Sequence, residues 1–462
     1  MRNTIPLKSG LLAVLFLFLA PYQALAFEIE RVSVSSDEAE ATSSSMFCNI
    51  SADGKFIAFD SDANNLVTGD SEGHGDVFVR DLVNGTTERV SVIHKSTSVG
   101  GDSYSNYPSI SAEGRYVAFE STATNLTAGA WWGAHTDIFV RDRVENTTVL
   151  ASVNSGVMGY GGNGHSYSPS LSADGQYVAF ESKATDLGPG GGGTYSDVFV
   201  RELWAGTPAT VLVSQSSTGY GGNQNSNDPS ISSDGRYVAF KSQATDLSNN
   251  KDYTVSGLYT DIWVWDRQDS SITLVSRGTS IGGYYGGYGG NSADPAISAD
   301  GRYVAFASDA SNLVSGVDST HMDIFVRDLV NNTTSLVSVG TGGASGNGFS
   351  YYPAISPDGR YVIFDSEADD LVPGDNNNEI DVFVRDLKRK KTVLVSKSRS
   401  GEQGNLSSRA YGGGMSSDGR YVAFSSYADN LVDSDNNSAM DVFVSSGFFP
   451  ITLPSTLLLL GE

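Results

Sequence analysis

The chain has 462 residues and carries 53 acidic against 29 basic side chains, a formal net charge of −24 at neutral pH. Such a surface repels phosphate groups, which excludes nucleic acid as a partner and suits a soluble protein that attracts cations. Cys48 is the only cysteine, so the fold cannot depend on an intrachain disulfide.

The first 26 residues have the composition of a secretory signal peptide. Arg2 and Lys8 make the start positive, residues 11–20 are all apolar, and Ala24 to Ala26 offer small residues for cleavage. The apolar run is short for a membrane span, although a retained anchor is the alternative interpretation. We therefore expect an exported protein, periplasmic or extracellular, that begins near Phe27 and has no stable membrane span in its mature part.

One motif recurs seven times along the chain, written SADGKFIAF from Ser51 and SADGRYVAF from Ser298. Its glycines lie about 60 residues apart, at Gly54, Gly114, Gly175, Gly235, Gly301, Gly359 and Gly419. A fixed period indicates a repeat architecture, because each unit can bury its apolar face only against a neighbouring unit.

Each unit is predicted to contain four short strands. The first leads into an Asp-Gly or Glu-Gly turn, a strong hairpin signal, and the second is the apolar run that follows it. The third strand begins with an aspartate, as at residues 76–79, and the fourth follows a polar turn, as at residues 336–339.

The seventh unit has no fourth strand after Val444, but a matching segment stands at the other end of the chain. Residues 30–34 read ERVSV, the same as residues 88–92 in the first unit. We expect this N-terminal strand to complete the last blade, which removes exposed sheet edges. The sequence thus predicts an all-β, seven-bladed β-propeller of four-stranded blades over residues 27–446.

The Ser-x-Asp-Gly-Arg-Tyr-Val-Ala-Phe and Asp-Val-Phe-Val-Arg-Asp strings resemble the TolB-type, WD-repeat-like propeller repeats of exported bacterial proteins. Residues 356–360, SPDGR, are the nearest copy, and the resemblance covers residues 27–446. TolB itself resembles a six-bladed propeller behind a small α/β domain, for which this chain has no room. The period also exceeds the 40–45 residues usual for WD-type repeats. The partner binding expected of TolB therefore does not carry over.

Residues 447–462 form a tail outside the repeats. The string LPSTLLLLG resembles the opening of C-terminal sorting signals of the PEP-CTERM type, but the helix and arginine cluster typical of those signals do not follow. The tail is either a degenerate or truncated sorting signal, or a segment that packs on the propeller.

The loops between the second and third strands, and those between blades, hold nearly all of the extra length; we call the side on which they lie the long-loop face. Binding residues tend to lie on such loops. Exposed aromatic side chains there would suit a protein or glycan partner, or they could merely cover the blade tops. The candidates for ligand binding are Trp131, Trp132, Tyr284, Tyr285 and Tyr288.

Acidic loops before the third strand predict calcium as a cofactor. Oxygen donors at alternate positions, a pattern that resembles the FG-GAP loops of other propellers, can converge on one ion. The candidate ligands are Asp433, Asp435, Asn437 and Asp441 in unit seven, Asp375, Asn377 and Asp381 in unit six, and Asp70, Glu72 and Asp76 in unit one. The final aspartate recurs in all seven units, so the alternative is that it braces the strand turn.

No catalytic motif is present: the chain lacks G-x-S-x-G, H-E-x-x-H and the P-loop. His74, His135 and His321 share one repeat position but belong to different blades, which disfavours one zinc site. The sequence therefore favours an exported, non-enzymatic binding or scaffold module with a protein or glycan partner on the long-loop face. The alternative is a lyase or glycoside hydrolase acting on extracellular polysaccharide.

Overall fold

A computed structural model of the protein describes residues 27–70, 73–127, 135–156, 159–191, 193–206, 208–247, 259–278, 290–315, 317 and 320–449. These ranges form strands, turns and bends, and none of them is helical. They therefore contain no apolar helix of the length needed to cross a membrane. The predicted signal peptide and residues 450–462 of the tail lie outside them.

The described residues form antiparallel sheets of four strands each, which we number as blades 1 to 7. In chain order the strands are β1 (Glu28–Arg31), β2 (Ser45–Ile50), β3 (Phe56–Ser61), β4 (Asp76–Asp81), β5 (Thr86–Arg89), β6 (Ser105–Ile110), β7 (Tyr116–Ser121), β8 (Asp137–Asp142), β9 (Thr147–Leu150), β10 (Ser166–Leu171), β11 (Tyr177–Ser182), β12 (Asp197–Glu202), β13 (Thr210–Leu212), β14 (Ser226–Ile231), β15 (Tyr237–Ser242), β16 (Asp261–Asp266), β17 (Ser271–Leu274), β18 (Ser292–Ile297), β19 (Tyr303–Ser308), β20 (Asp323–Asp328), β21 (Thr333–Leu336), β22 (Ser350–Ile355), β23 (Tyr361–Ser366), β24 (Asp381–Asp386), β25 (Lys391–Leu394), β26 (Ser408–Arg409), β27 (Tyr421–Ser426) and β28 (Asp441–Ser446). Six blades are meanders of consecutive strands, from β2–β5 in blade 1 to β22–β25 in blade 6.

Blade 7 closes the ring with strands from both ends of the chain. Its strand order is β1, β28, β27 and β26, and β1 pairs with β28 from Glu28 opposite Ser446 to Arg31 opposite Phe443. The prediction of a seven-bladed propeller closed by the N-terminal strand is confirmed. The ring closes in this way because the last repeat lacks an outer strand, and β1 supplies that strand.

The hydrophobic core lies between the blades, because both faces of the second and third strands are covered. One cluster of buried side chains joins Ala58 and Val79 of blade 1 to Phe119 of blade 2. Within blade 1, Phe59 of β3 stacks on Phe78 of β4 with ring centroids 5.8 Å apart, and most other blades repeat this pair. Burial of such large apolar side chains is the main source of stability in a propeller of this kind.

A Ser-x-Asp-Gly turn, or Ser-x-Glu-Gly in blade 2, closes the first hairpin of each blade. In blade 3, Ser172 donates a hydrogen bond to Asp174, and the same carboxylate accepts the N–H of Gln176 at 2.9 Å. Gly175 has a φ of 69°, and a Cβ at this position would lie 2.2 Å from the ring of Tyr116 in blade 2. Glycine alone suits both the backbone conformation and the close contact, which explains why the motif repeats it.

Candidate ligand site at the mouth of the central channel

The inner strand of six blades contains a bulge, where its register with the second strand shifts. A non-glycine residue is strained at positive φ and must be held there by its surroundings. One residue of each bulge has a φ between 40° and 53°, namely Phe47, Tyr107, Ser168, Asp228, Asp294 and Tyr352. In blade 7 the bulge is replaced by Tyr411 and Gly412, whose φ is 61°.

These residues line the central channel of the propeller, which has a volume of about 820 Å³ and a wall formed by the inner strands of all seven blades. Each inner strand runs from the long loops toward the short turns, so its third residue lies near the long-loop end. We call this end the channel mouth, and we define it by Phe47, Tyr107, Ser168, Asp228, Asp294, Tyr352 and Tyr411.

The channel mouth divides into an aromatic arc and a polar arc. The aromatic arc runs through blades 6, 7, 1 and 2, with successive ring centroids 4.2, 5.5 and 3.9 Å apart for Tyr352, Tyr411, Phe47 and Tyr107. The polar arc belongs to blades 3, 4 and 5 and consists of Ser168, Asp228 and Asp294. The backbone conformation repeats around the ring while the side chains change, whereas the second and third strands repeat their side chains as well.

Carboxylates from the second strands hold the bulges from the neighbouring blade. Glu120 of blade 2 accepts the N–H of Ser168 at 2.6 Å, and Glu181 of blade 3 accepts the N–H of Asp228 at 2.9 Å. Asp60 makes the same contact with Tyr107 at 3.4 Å. These bonds satisfy backbone groups that the bulge removes from the sheet, and they fix the direction of the residues at the channel mouth.

At two further blade junctions a carboxylate also accepts a backbone N–H of the next blade, with small differences in the residues used. Asp365 of blade 6 accepts the N–H of Ala410 in blade 7 at 3.3 Å. Blade 5 has Ala307 at the position that holds a carboxylate in blades 1, 2, 3 and 6, and there Asp294 of the inner strand accepts the N–H of Tyr352 at 3.4 Å. A carboxylate therefore supports the bulge at five of the blade junctions in the described part of the chain.

Burial raises the pKa of each of these carboxyl groups. The pKa rises to about 7 for Asp60 and Asp365, to about 8 for Glu120 and to about 6 for Asp294. Neighbouring carboxylates act in the same direction: Glu181 raises the pKa of Glu120. The acids thus form one electrostatically connected series around the channel.

Two cations oppose this series of acids. Lys241 of blade 4 forms an ion pair with Asp228, and Arg409 Nη1 lies 3.8 Å from Asp365 Oδ2. The Asp228 side chain remains 35% exposed, so its pairing with Lys241 leaves it accessible from the channel. The channel mouth therefore has more acidic than basic groups around it.

The aspartate that begins each third strand has the bracing role given above as the alternative to calcium binding. In every blade it accepts a hydrogen bond from a serine that follows the fourth strand, for example from Ser152 to Asp137 at 2.6 Å and from Ser276 to Asp261 at 2.6 Å. The same serine accepts the N–H of the residue after the aspartate, as Ser152 does from Ile138 at 3.0 Å. This contact accounts for an aspartate in all seven units.

In blade 7, the predicted ligands Asp435 and Asp441 do converge, and Glu40 joins them within 4.8 Å. The guanidinium of Arg31 lies among these carboxylates, 2.6 Å from Glu40 and 3.3 Å from Asp435. Asn437 donates a hydrogen bond to Asp441 at 3.0 Å, whereas Asp433 is exposed outside the group. Glu40 and Arg31 were not predicted as part of this site, because they come from the N-terminal segment, far away in the chain.

Blades 1 and 6 treat the corresponding loops differently. In blade 1, Arg89 lies 3.2 Å from Asp70 and 2.9 Å from Asp76, an arrangement like that of Arg31 in blade 7, while Glu72 lies outside the described residues. In blade 6, Leu394 takes the position of Arg89 in the repeat. There, Asn377 donates to Asp381 at 2.7 Å, Gln403 donates to Asp375 at 3.0 Å, and burial raises the pKa of Asp381 to about 7. Calcium at these loops stays a prediction.

The aromatic candidates Trp131, Trp132, Tyr284, Tyr285 and Tyr288 lie outside the described residues. The histidines lie at separate blades, in contact with aromatic rings: His74 with Tyr104, and His321 with Phe349. His135 and His165 meet edge to face at 4.9 Å between ring centroids. Within the described part of the chain, the one group of three possible metal ligands is that of Glu40, Asp435 and Asp441.

The channel mouth was missed at the level of sequence, although a signal for it exists. In five units the bulged residue stands directly before the proline of the inner strand, as in Tyr107-Pro108 and Asp228-Pro229. Aligned on that proline, this position takes Tyr, Ser, Asp, Asp and Tyr, and the residue before it also varies, whereas the first serine and the proline of the strand are the same in all five blades. The second signal is a carboxylate inside an otherwise apolar strand, as at Glu120.

No protein-family model matches this sequence, and no curated protein resembles it closely enough to be a relative. Among solved structures, an oligogalacturonate lyase in complex with manganese is similar over 93% of this chain and 94% of its own, with 12% identity and a TM-score of 0.50. An oligogalacturonate lyase from Vibrio parahaemolyticus covers 91% of this chain and 97% of its own, with 11% identity and a TM-score of 0.49.

TolB from Acinetobacter baumannii also matches, over 75% of this chain and 77% of its own, with 13% identity and a TM-score of 0.37. Identities this low show the fold alone. The fold of this chain is the β-propeller, here with the seven blades described above.

Proposed function

We propose that this protein is an exported, non-enzymatic binding module whose ligand enters the channel mouth on the long-loop face. The observation that supports this function most is the change of side chains at a repeated, strained backbone position. Strain held by neighbouring contacts is typical of functional positions. A concave site with aromatic rings and a few polar groups is the usual form of a ligand site, and about 820 Å³ is within the usual range of volumes.

The alternative, a lyase or glycoside hydrolase acting on extracellular polysaccharide, has one observation in its favour. Asp294 at the channel mouth has a pKa raised to about 6, which suits a general acid or base. However, this carboxylate is already engaged with the N–H of Tyr352. An acidic polymer such as oligogalacturonate, the substrate named for the lyases of similar fold, would also be repelled by the carboxylates around the channel.

Calcium remains part of this proposal at blade 6. Arg31 and Arg89 already neutralise the acidic loops of blades 7 and 1, so a cation there would have to displace a guanidinium. The loop of blade 6 offers Asp375, Asn377 and Asp381, and its two aspartates form no ion pair with any described residue. Oxygen donors of this kind suit calcium better than other common cations.

The binding function is tested with the purified protein on arrays of glycans and of peptides. We expect a ligand whose binding falls at least about tenfold when Tyr107 and Tyr352 are both replaced by alanine. Tyr427→Ala is the matched control, because Tyr427 is an exposed tyrosine outside the channel. Equal losses in both variants, or a bound polysaccharide that is shortened during incubation, would contradict a binding role for the channel mouth.

A further inference from the structure

We propose that the channel mouth selects a positively charged group, the side chain of a lysine or arginine in an extended segment of a partner protein. This inference rests on the function proposed above and names the chemical class of its ligand. It follows from three features of the mouth: an excess of carboxylates, a facing arc of aromatic rings, and buried carboxylate oxygens that lack hydrogen-bond donors.

An excess of acidic groups, whose negative charge grows as the pH rises through about 6 to 8, is the first feature. Six carboxylates surround the mouth, against the two cations Lys241 and Arg409. The acids follow one another around the ring, at Asp60, Glu120, Glu181, Asp228, Asp294 and Asp365. Lys241 already pairs with Asp228, and Arg409 approaches Asp365. A ligand that brings a further positive charge therefore gains interactions which a neutral or acidic ligand cannot make.

The aromatic arc is the second feature, and it faces the polar arc across the mouth. Tyr107 is 41% exposed, and Tyr352, Tyr411 and Phe47 are half-buried beside it. Aromatic faces attract cations, and they also pack well against the methylene groups of a long side chain. A lysine or arginine side chain can thus rest its stem on the rings while its charged end faces Asp228 and Asp294.

The third feature is a shortage of donors inside the wall. Oδ1 of Asp60 and Oδ1 of Asp365 are buried and have no hydrogen-bond partner within the described residues. Asp60 lies behind Tyr107, and Asp365 is electrostatically coupled to Asp294. The ionised form of a buried carboxylate that lacks hydrogen-bond donors is strongly stabilised by a nearby positive charge. The buried acids of the wall thus favour a positively charged ligand, as do the exposed acids of the mouth.

A sharp test compares a short peptide that repeats Gly-Ser-Lys with the same peptide carrying glutamine for lysine, and with an oligosaccharide of neutral hexoses. We expect the lysine peptide to bind at least about tenfold more tightly than the glutamine peptide. Asp294→Asn should abolish that preference, because asparagine keeps an acceptor for the N–H of Tyr352 but removes the charge. Asp418→Asn removes the same charge from an exposed turn on the opposite face and should keep the preference.

The affinity for the lysine peptide should also rise with pH between about 6 and 8, because the raised pKa values of Asp294, Asp60, Asp365 and Glu120 lie in that window. Other titratable groups around the ring are Glu181, Tyr107, Tyr352, Tyr411, Lys241 and Arg409. Burial raises the pKa of Tyr107 and Tyr352 further from the window. Burial alone would lower the pKa of Lys241, but Asp228 raises it.

The outcomes separate this inference from the function on which it rests. Binding of the neutral oligosaccharide that depends on Tyr107 and Tyr352 but not on Asp294 would overturn the cationic ligand and leave the binding module standing. Equal weakening by Asp294→Asn and Asp418→Asn would show general attraction to an acidic surface and would overturn the site at the mouth. Loss of the preference in Asp294→Asn alone, with unchanged thermal stability, supports the inference.

Discussion

The two ends of the central channel are built differently. At the short-turn end, backbone groups join neighbouring blades: the N–H of Ala112 donates to Ala173 at 2.9 Å, and the N–H of Ala173 donates to Ser233 at 3.0 Å. At the mouth, side chains join the blades, as Glu120 does with Ser168. Pro357 of blade 6 accepts such a bond from Ala299 of blade 5, but it has no N–H with which to continue the series to blade 7.

The short-turn end is also the more uniform in its side chains, because four of the blades share one arrangement. Arg115 binds Asp142 through two hydrogen bonds, of 3.0 and 2.7 Å, and its guanidinium lies over the ring of Tyr116. The same arrangement recurs in three later blades as Arg236–Asp266, Arg302–Asp328 and Arg360–Asp386. The short-turn end therefore repeats backbone contacts between blades and, in four blades, one side-chain pair, while the mouth repeats its bulged backbone and varies its side chains.

The largest effect is expected at the uniform end, from Gly175→Ala. Alanine would be strained at a φ of 69°, and its methyl group would meet the ring of Tyr116. We expect the free energy of unfolding to fall by about 3 kcal/mol, measured by denaturant titration. Gly206→Ala, at an exposed glycine with no atom within 4 Å of its Cβ position, should change it by less than about 0.5 kcal/mol. Similar values for the two variants would refute the role given to the turn.

The second effect concerns the outer loops of the long-loop face. A calcium site with a dissociation constant of about 0.1 mM would add about 2.3 kcal/mol of stability in about 5 mM calcium. We expect thermal unfolding to shift upward in calcium relative to EDTA, and the shift to disappear in Asp375→Asn. Asp433→Asn in blade 7 should leave the shift intact, because Arg31 already neutralises that loop. No shift in the unaltered protein would end the calcium proposal.

A smaller effect tests the carboxylates behind the mouth. The pKa of Glu120 rises from 4.5 to about 8 on folding, so the folded protein keeps a proton that the unfolded chain releases. The contribution of this group is fully present below about pH 4.5 and is lost as the pH rises through about 8. Between about pH 6 and 7.5 we expect the unaltered protein to lose roughly 2 kcal/mol more stability than Glu120→Gln, measured by calorimetry.

Glu145→Gln is the control for this pH experiment, since Glu145 is exposed on a turn of the same blade. It should follow the unaltered protein at every pH. A pH dependence that is identical in all three proteins would mean that Glu120 is not held protonated, and the electrostatic account of the wall would fail.

Most of the fold could be predicted from the sequence, because its determinants are local and repeated. A pattern of only a few residues predicts each element: the turn glycine, the apolar second strand and the Asp-Val-Phe-Val strand. Even closure of the ring could be predicted, since residues 30–34 repeat residues 88–92. The bracing role of the third-strand aspartate was also open to prediction, because it occurs where the loop before it has no acidic residues.

The candidate site could be predicted only in part. The loop pattern brings Asp435 and Asp441 together as metal ligands, and the two carboxylates lie close to each other, but Arg31 and Glu40 approach them from the opposite end of the chain. A loop that matches a calcium pattern in sequence is thus partly neutralised by a side chain that the pattern does not include. The channel mouth was not predicted at all, because its seven residues come from seven different repeats.

The sequence by itself determined the number of blades, their strand order and the closure of the ring, since short-range hairpin signals and a fixed period are sufficient for these features. The tertiary structure alone decided which side chains meet. The closed ring brings one bulged residue per blade to a common channel, and it sets carboxylates of one blade against the backbone of the next. Such contacts join residues 45 to 58 positions apart, as with Ser168 and Glu120 at 48, so no local pattern contains them.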